Sequence, residues 1–515
     1  MKRLLCILTA LICALCLSGC SSVREEEHAP APTLPPARAV YTAPDGDGFL
    51  SAVSDEAEYR VYLPGRNEPG LVSRNVTLEK AGLQDAAQTL LQRLISWPAD
   101  AEIRQMITGR ALTLFGDHPM EISGGVCTVN LSSAALQMSL SDYYKYCIAI
   151  ATTLCEFQEI NSVNVLVADQ SIGLDITGNL PMGTLTAHPG ENLSVLWEQM
   201  ESRRTPLGED LSRTPLSAMA TLYYPLLDGR GMACATRMVN FEGQTPGQLA
   251  LGLIRAVSET RRSLAGGQSM PELESLLLHE PVTSELEDGG RLITLSLRED
   301  AESQLQAGGA DLACTVAALT ATLTTFIPGI AAVCVRIGET PITELRTDRF
   351  ETVINLGGLV EREAAMTFLM SSVTVYLARE GVLCECEKPV SLSGGDSLRA
   401  QLVALMEGPD PREKEEGITA PLPETVHEDD ILGISVEDGT LLVNLSEGFR
   451  SEIQGQGPEK ETLACYSMVN TLCRNTGLRR VRFFFEGEQV EYVAGDIYWA
   501  GEFMYNIGLA EQGLG

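Results

Sequence analysis

Apolar positions along this chain change their period in a fixed order, and that order returns three times. Alternation of apolar and polar residues predicts half-buried strands, whereas apolar residues three and four apart predict amphipathic helices. Each round opens on a strand-like run with an aromatic at its centre: Val61-Tyr62-Leu63, Leu222-Tyr223-Tyr224 and Val375-Tyr376-Leu377. A helical pattern follows over 86–97, 246–257 and 397–407. A glycine turn then leads into a second strand. The pairs are Gly124-Gly125 before Val129-Asn130-Leu131-Ser132, Asp288-Gly289-Gly290 before Ile293-Thr294-Leu295-Ser296, and Glu437-Asp438-Gly439 before Val443-Asn444-Leu445-Ser446. Glycine supplies the positive φ of tight hairpin turns, so all three places read as hairpins.

The second helix of each round carries a threonine-leucine step, Thr153-Leu154, Thr322-Leu323 and Thr471-Leu472, before a last strand resumes at Val163, Val333 and Val481. Gly329 and Gly477 stand where the second and third of these helices should stop. Spacing is conserved between rounds: Val61 to Val129 and Val375 to Val443 both span 68 residues, and Leu154 to Val163 and Leu472 to Val481 both span 9. The reading is therefore three divergent copies of one domain, at 56–185, 215–346 and 370–500, the second most divergent, with 501–515 as a C-terminal tail. Two helices beside a small mixed or antiparallel sheet bury both helical stripes, so the expected fold class is α+β, a tandem of small two-layer domains.

Before the first copy the pattern is of another kind. Lys2 and Arg3 precede an apolar run from Leu4 to Leu17, and Leu17-Ser18-Gly19 leads to Cys20. Such a run, at about 1.5 Å per helical residue, is shorter than the roughly 30 Å core of a bilayer, and its layout is that of an export signal over 1–19. The residues around Cys20 resemble a bacterial lipobox. That resemblance implies a diacylglyceryl thioether on Cys20, a mature chain beginning there, and a lipid anchor on the extracytoplasmic face of the cell membrane. Residues 20–55 hold Pro30, Pro32, Pro35, Pro36 and Pro44 among Ala, Glu and Asp, which favours an extended tether.

Charge narrows the partners. The net charge is −32, and loss of Lys2 and Arg3 with the leader makes it −34, which argues against a broad basic surface for nucleic acid or anionic lipid. Any membrane contact is assigned to the lipid on Cys20.

Candidate chemistry is sparse. His28, His118, His188, His279 and His427 stand singly, and no H-E-x-x-H, P-loop or G-x-S-x-G pattern occurs. Catalytic, metal and cofactor-binding residues are accordingly assigned to none. Cys147 with Cys155 and Cys465 with Cys473 lie eight apart on helices. At about 12 Å of rise neither pair can bridge, and the cysteines read as small buried hydrophobes. Of the ten cysteines beyond Cys20, Cys384-Glu-Cys386 is the one close pair, without histidines beside it. The acidic runs Glu413-Lys414-Glu415-Glu416 and Glu428-Asp429-Asp430 read as solvated loops, and Tyr62, Tyr223 and Tyr376 as aromatics at the edge of the core. In the Val-Asn-Leu-Ser strands, Asn130 and Asn444 should face the turn or solvent while their neighbours pack inward.

The third copy joins Leu402-Val403-Ala404-Leu405-Met406-Glu407-Gly408-Pro409, the Asp438-Gly439 turn, Val443-Asn444-Leu445-Ser446 and Asn470-Thr471-Leu472. In this it resembles the GerMN domain of sporulation and spore germination. The first copy shares Val129-Asn130-Leu131-Ser132 and Thr153-Leu154 but has Ser96-Trp97-Pro98 in place of the Gly-Pro step, and the second also lacks that step. The resemblance implies a non-enzymatic envelope lipoprotein of a spore-forming bacterium, a scaffold for protein partners, with self-association left open. The alternative is a substrate- or glycan-binding lipoprotein with a cleft between domains; a cell-wall hydrolase finds no paired catalytic signature.

Overall fold

A computed structural model describes residues 41–47, 53–66, 69–80, 83–98, 100–104, 111–116, 119–203, 210–226, 229–264, 270–286, 289–347, 351–353, 358–391, 397–476, 478–495 and 497–510. The leader, Cys20, His28, His118, Asp288 and Gly477 lie outside the described residues. After β1 (Gly46–Asp47), the first copy begins with a hairpin of β2 (Val53–Pro64) and β3 (Leu71–Lys80). Helix α1 (Leu83–Ile95) buries Ala86, Ala87, Leu90, Leu91 and Leu94, a stripe with helical period, and places Asp85 in its first turn and Arg93 in its last, as the helix dipole favours. β4 (Met120–Ser123) and β5 (Val126–Leu131) form the second hairpin. Its turn residues, Gly124 and Gly125, both have positive φ, +56° and +75°. Helix α2 (Leu140–Leu154), capped by Ser139 accepting from Asp142 N, crosses to β6 (Ser162–Val167), which runs parallel to β5. Helix α3 (Leu193–Glu201) closes the stretch.

The same order follows twice more. In the second copy β7 (Leu216–Pro225) and β8 (Met232–Phe241) form the opening hairpin, followed by α4 (Pro246–Leu264), β9 (Val282–Glu285) and β10 (Arg291–Leu297). Helices α5 (Ala301–Ala307) and α6 (Leu312–Phe326) then lead to β11 (Ile330–Ile337), parallel to β10. Short strands β12 (Thr340–Pro341), β13 (Glu344–Arg346), β14 (Glu351–Val353) and β15 (Leu359–Glu361), with α7 (Arg362–Met366), connect to the third copy. That copy has the hairpin β16 (Met370–Arg379) and β17 (Val382–Ser391), α8 (Ser397–Met406), α9 (Pro411–Glu415), and the hairpin β18 (Ile431–Glu437) and β19 (Thr440–Leu445). Helices α10 (Glu447–Gln456) and α11 (Pro458–Thr476) lead to β20 (Arg480–Phe485), parallel to β19, and β21 (Phe503–Met504) closes the sheet.

The fold is α+β, as expected, and its sheets are mixed. In every copy the Val-Asn-Leu-Ser type strand is central, antiparallel to the strand before it and parallel to the one after its helix. Residues 43–515 form one compact unit, and the apolar core divides in two. One cluster runs from Val61 to Phe368 through the first and second copies, and the other from Val373 to Phe503 belongs to the third.

Three sequence expectations need correction. The second copy's central strand is offset: the hydrogen bonds Ala168 N to Leu131 O, Gly338 N to Leu297 O and Glu486 N to Leu445 O make Leu297, not Leu295, the counterpart of Leu131 and Leu445. Ser296 therefore fills the place of Asn130 and Asn444. A slip of two residues leaves every side chain on the same face, so alternation could not detect it. Residues 501–515, expected as a tail, contribute β21, and Tyr505 Oη meets Tyr376 Oη at 2.8 Å. The tether expected over 20–55 ends sooner, since β1 joins the sheet of the third copy and β2 starts at Val53.

Candidate functional site

The tyrosines and threonines that mark each copy meet. Tyr62 N donates to Thr153 Oγ1 at 3.0 Å, Tyr223 N to Thr322 Oγ1 at 2.9 Å, and Tyr376 N to Thr471 Oγ1 at 3.0 Å. All three threonines are fully buried. Each bond fastens the opening hairpin to the crossover helix, so the tyrosines are buried against it and not at the edge of the core. Their hydroxyls diverge: Tyr62 donates to Glu156 Oε1 (2.9 Å), Tyr223 accepts from Arg362 (3.5 Å), and Tyr376 donates to Glu385 Oε1 (2.6 Å). Burial, first, and the neighbouring Glu156 hold the Tyr62 phenol above its ordinary pKa.

The asparagines are buried as well, so they do not face solvent; of the two surroundings expected for them, they face a turn. Asn130 Nδ2 donates to Asp169 Oδ1 (2.6 Å) while its Oδ1 accepts from Asp169 N (3.0 Å). Asn444 Oδ1 accepts from Gly487 N (2.9 Å) and its Nδ2 donates to Pro44 O (3.2 Å). Both hold the turn after the parallel strand, where Asp169 and Gly487 have φ of 65° and 84°. An asparagine carries a donor and an acceptor on one short stem and so satisfies backbone that no strand can reach.

The first and second copies are joined by a polar seam. Asn164 Nδ2 donates to Thr221 Oγ1 (2.8 Å), Thr184 Oγ1 donates to Asn164 Oδ1 (2.9 Å), and Ser162 meets Thr236 at 3.1 Å. Arg362, buried on α7, pairs with Glu121 at 3.1 Å, and Ser123 Oγ donates to Met370 O at 2.7 Å. The linker helix thus touches the first copy through Glu121 and the second through Tyr223, and the first copy meets the third directly at Met370.

The remaining candidates do not converge. His188 bonds Glu191 at 2.8 Å, whereas His279 and His427 are exposed on separate loops. Glu413 pairs with buried Lys388, and Asp430 accepts from Ser446 and from His427 N, so both acidic runs serve local structure. Cys384 and Cys386 are buried in the third core. Burial drives the thiols of Cys127, Cys147 and Cys465 far above their usual range and that of Cys155, half-buried, to about 11. Among the described residues no group of His, Cys, Asp and Glu has the arrangement to hold a metal ion. No described helix is long and apolar enough to cross a membrane. One open cavity of about 400 Å³, lined by Gly229, Gln306, Gly309, Ala310, Asp311, Arg346 and Thr347, lies in the second copy.

Residues 374–491 match the family model Germane, described as sporulation and spore germination. Among solved structures, the tandem GerMN domains of the sporulation protein GerM from Bacillus subtilis align at 17% identity over 56% of this chain and 98% of that one, with a TM-score of 0.21. A putative lipoprotein from Clostridium perfringens aligns at 20% identity over 24% of this chain and 83% of that one, with a TM-score of 0.16. No curated protein matches.

Proposed function

We propose, for a chain whose residues 374–491 are a domain of the sporulation and spore germination family, the role of a membrane-anchored scaffold in the cell envelope. The observation that carries this reading is the use made of the shared residues. The Tyr-bound threonines common to all three copies, and the asparagines that the first and third copies share, are spent on fastening elements inside the protein. What repeats is architecture, and repeated architecture serves display of surfaces. The anchor is the thioether on Cys20, which confines those surfaces to the extracytoplasmic face of the cell membrane, where confinement raises the effective concentration of any protein partner.

Crosslinking pull-down from sporulating cells tests the scaffold: specific envelope proteins are recovered with the wild type. Recovery of none, together with normal spore formation and germination after deletion, refutes it. Cys20→Ala, read as loss of a lipid-sized mass and release from the membrane fraction, tests the anchor separately. The ligand-binding alternative expects a cleft between domains, whereas the cavity beside Asp311 and Arg346 lies in the second copy; that alternative requires a thermal shift with amino acids or sugars.

A further inference from the structure

The arm formed by residues 43–47 lies on the edge of the third copy's sheet. Gly46 pairs with Gly433 and Asp47 with Ile434 in a parallel ladder. Pro44 is buried, and its carbonyl accepts from Asn444 Nδ2 across 400 residues of sequence. The fit depends on a missing side chain: a Cβ on Gly433 would stand 2.3 Å from Pro44 O, 2.6 Å from Gly46 O and 2.7 Å from Gly46 N. Gly46 itself has φ of +97°, a conformation that side-chain-bearing residues avoid. Among the described residues the other copies offer no such slot. The residue bonded to Asn130 N there is Pro119, and the one bonded to Ser296 O is Leu278, each carrying a side chain where the third copy has glycine.

An uncovered strand edge is a row of unpaired backbone donors and acceptors that recruits further strands. We propose that residues 43–47 are an edge guard: the arm covers the β18 edge at Gly433 and Ile434 in the single chain, and its release turns that edge into an association surface for the β18 edge of a second molecule of this chain. A second molecule of this chain is the occupant because two identical β18 edges related by a twofold axis run antiparallel and are self-complementary, extending the four strands that remain after β1 leaves without a new element. The net charge of −32 opposes this pairing, so salt strengthens it. The inference stands on the geometry of the arm and does not require the anchor at Cys20.

Two single substitutions in the leaderless chain test it from opposite sides, Gly433→Val in the slot and Gly46→Val in the arm. Far-UV circular dichroism and buried Trp499 fluorescence report whether the third copy stays folded. Hydrogen exchange across 431–437 should accelerate by about tenfold or more in both variants, and sedimentation velocity should show dimers that grow with protein and salt concentration. A synthetic peptide of residues 42–48 should return the Gly46→Val protein to monomer, its slot being intact, and leave the Gly433→Val dimer untouched. Exchange at the wild-type rate in both variants overturns the guard. Fast exchange in a protein that remains monomeric overturns the second molecule as the occupant.

Discussion

The backbone N–H of Tyr376 donates to the hydroxyl of Thr471, 95 residues further along the chain, and the same bond joins Tyr223 to Thr322 and Tyr62 to Thr153. Threonine to valine at any of these sites keeps shape and volume but leaves a buried amide without an acceptor, at a cost of about 1–3 kcal/mol. Thr471→Val should lower the unfolding free energy by that amount, read as a lower urea midpoint at an unchanged m-value. Thr471→Ser, which keeps the acceptor, should recover most of the loss.

The two halves of this bond were legible in the sequence because each sits in a locally periodic element, Tyr376 in a strand and Thr471 in a helix. The offset of the second copy was not, since Thr294 and Ser296 point to the same face of β10 and both follow apolar residues. Nor was the meeting of Pro44 with Asn444, which involves one carbonyl and one side chain and has no periodicity on either side. Glu461 is hidden for another reason: it stands in the polar run Glu459-Lys460-Glu461-Thr462 at the start of α11, which reads as a solvated first turn, and its partners come from a loop without periodicity.

Glu461 is fully buried on α11 and accepts from Trp499 Nε1 at 2.8 Å and from Ala494 N at 2.9 Å. Removing the carboxylate strands both donors under an aromatic cluster of Phe483, Phe485 and Phe503. Glu461→Ala should cost about 3 kcal/mol or more, and Glu461→Gln, which retains an acceptor, less. A red shift of Trp499 emission in the alanine variant checks the assignment. An unshifted spectrum at full stability would show that the loop is held by other means.

Thiol chemistry should be ordered by burial. Cys155 is half-buried, and desolvation has pushed its pKa to about 11, while Cys127 and Cys147 are fully buried with thiols displaced further. At pH 8 only about one in a thousand Cys155 side chains is thiolate, and fewer at the other two, so alkylation of the native protein should be slow. Iodoacetamide followed by peptide mass mapping should find Cys155 modified first and the deep cysteines only after denaturation. Early labelling of Cys127 would contradict the packing around β5.

Asp175 supplies a pH dependence. Burial alone would raise its pKa, but hydrogen bonds from Leu180 N, Thr177 Oγ1 and Asn179 N outweigh burial and hold it below the ordinary carboxylate range. A depressed folded pKa means that the contribution to stability is present above the unfolded value, about 3.9, and is lost as pH falls through the folded one. Asp175→Asn should therefore be less stable than wild type at pH 7, with the difference shrinking below about pH 4. A gap that stays constant across this range would remove the carboxylate from the account.

Division of the core sets how the protein melts. The first and second copies share one apolar cluster and are cross-linked by Asn164, Thr184 and Thr221, whereas the third has its own cluster. Cooperativity follows shared burial, so calorimetry should resolve two transitions and not three. Thr471→Val should shift one transition and Thr153→Val the other. Asn164→Leu should lower the transition that Thr153→Val lowers, because it leaves the hydroxyls of Thr184 and Thr221 with one partner fewer on the buried face between the first two copies. If that substitution instead splits the transition into two, the polar seam couples the copies, and the apolar cluster alone does not.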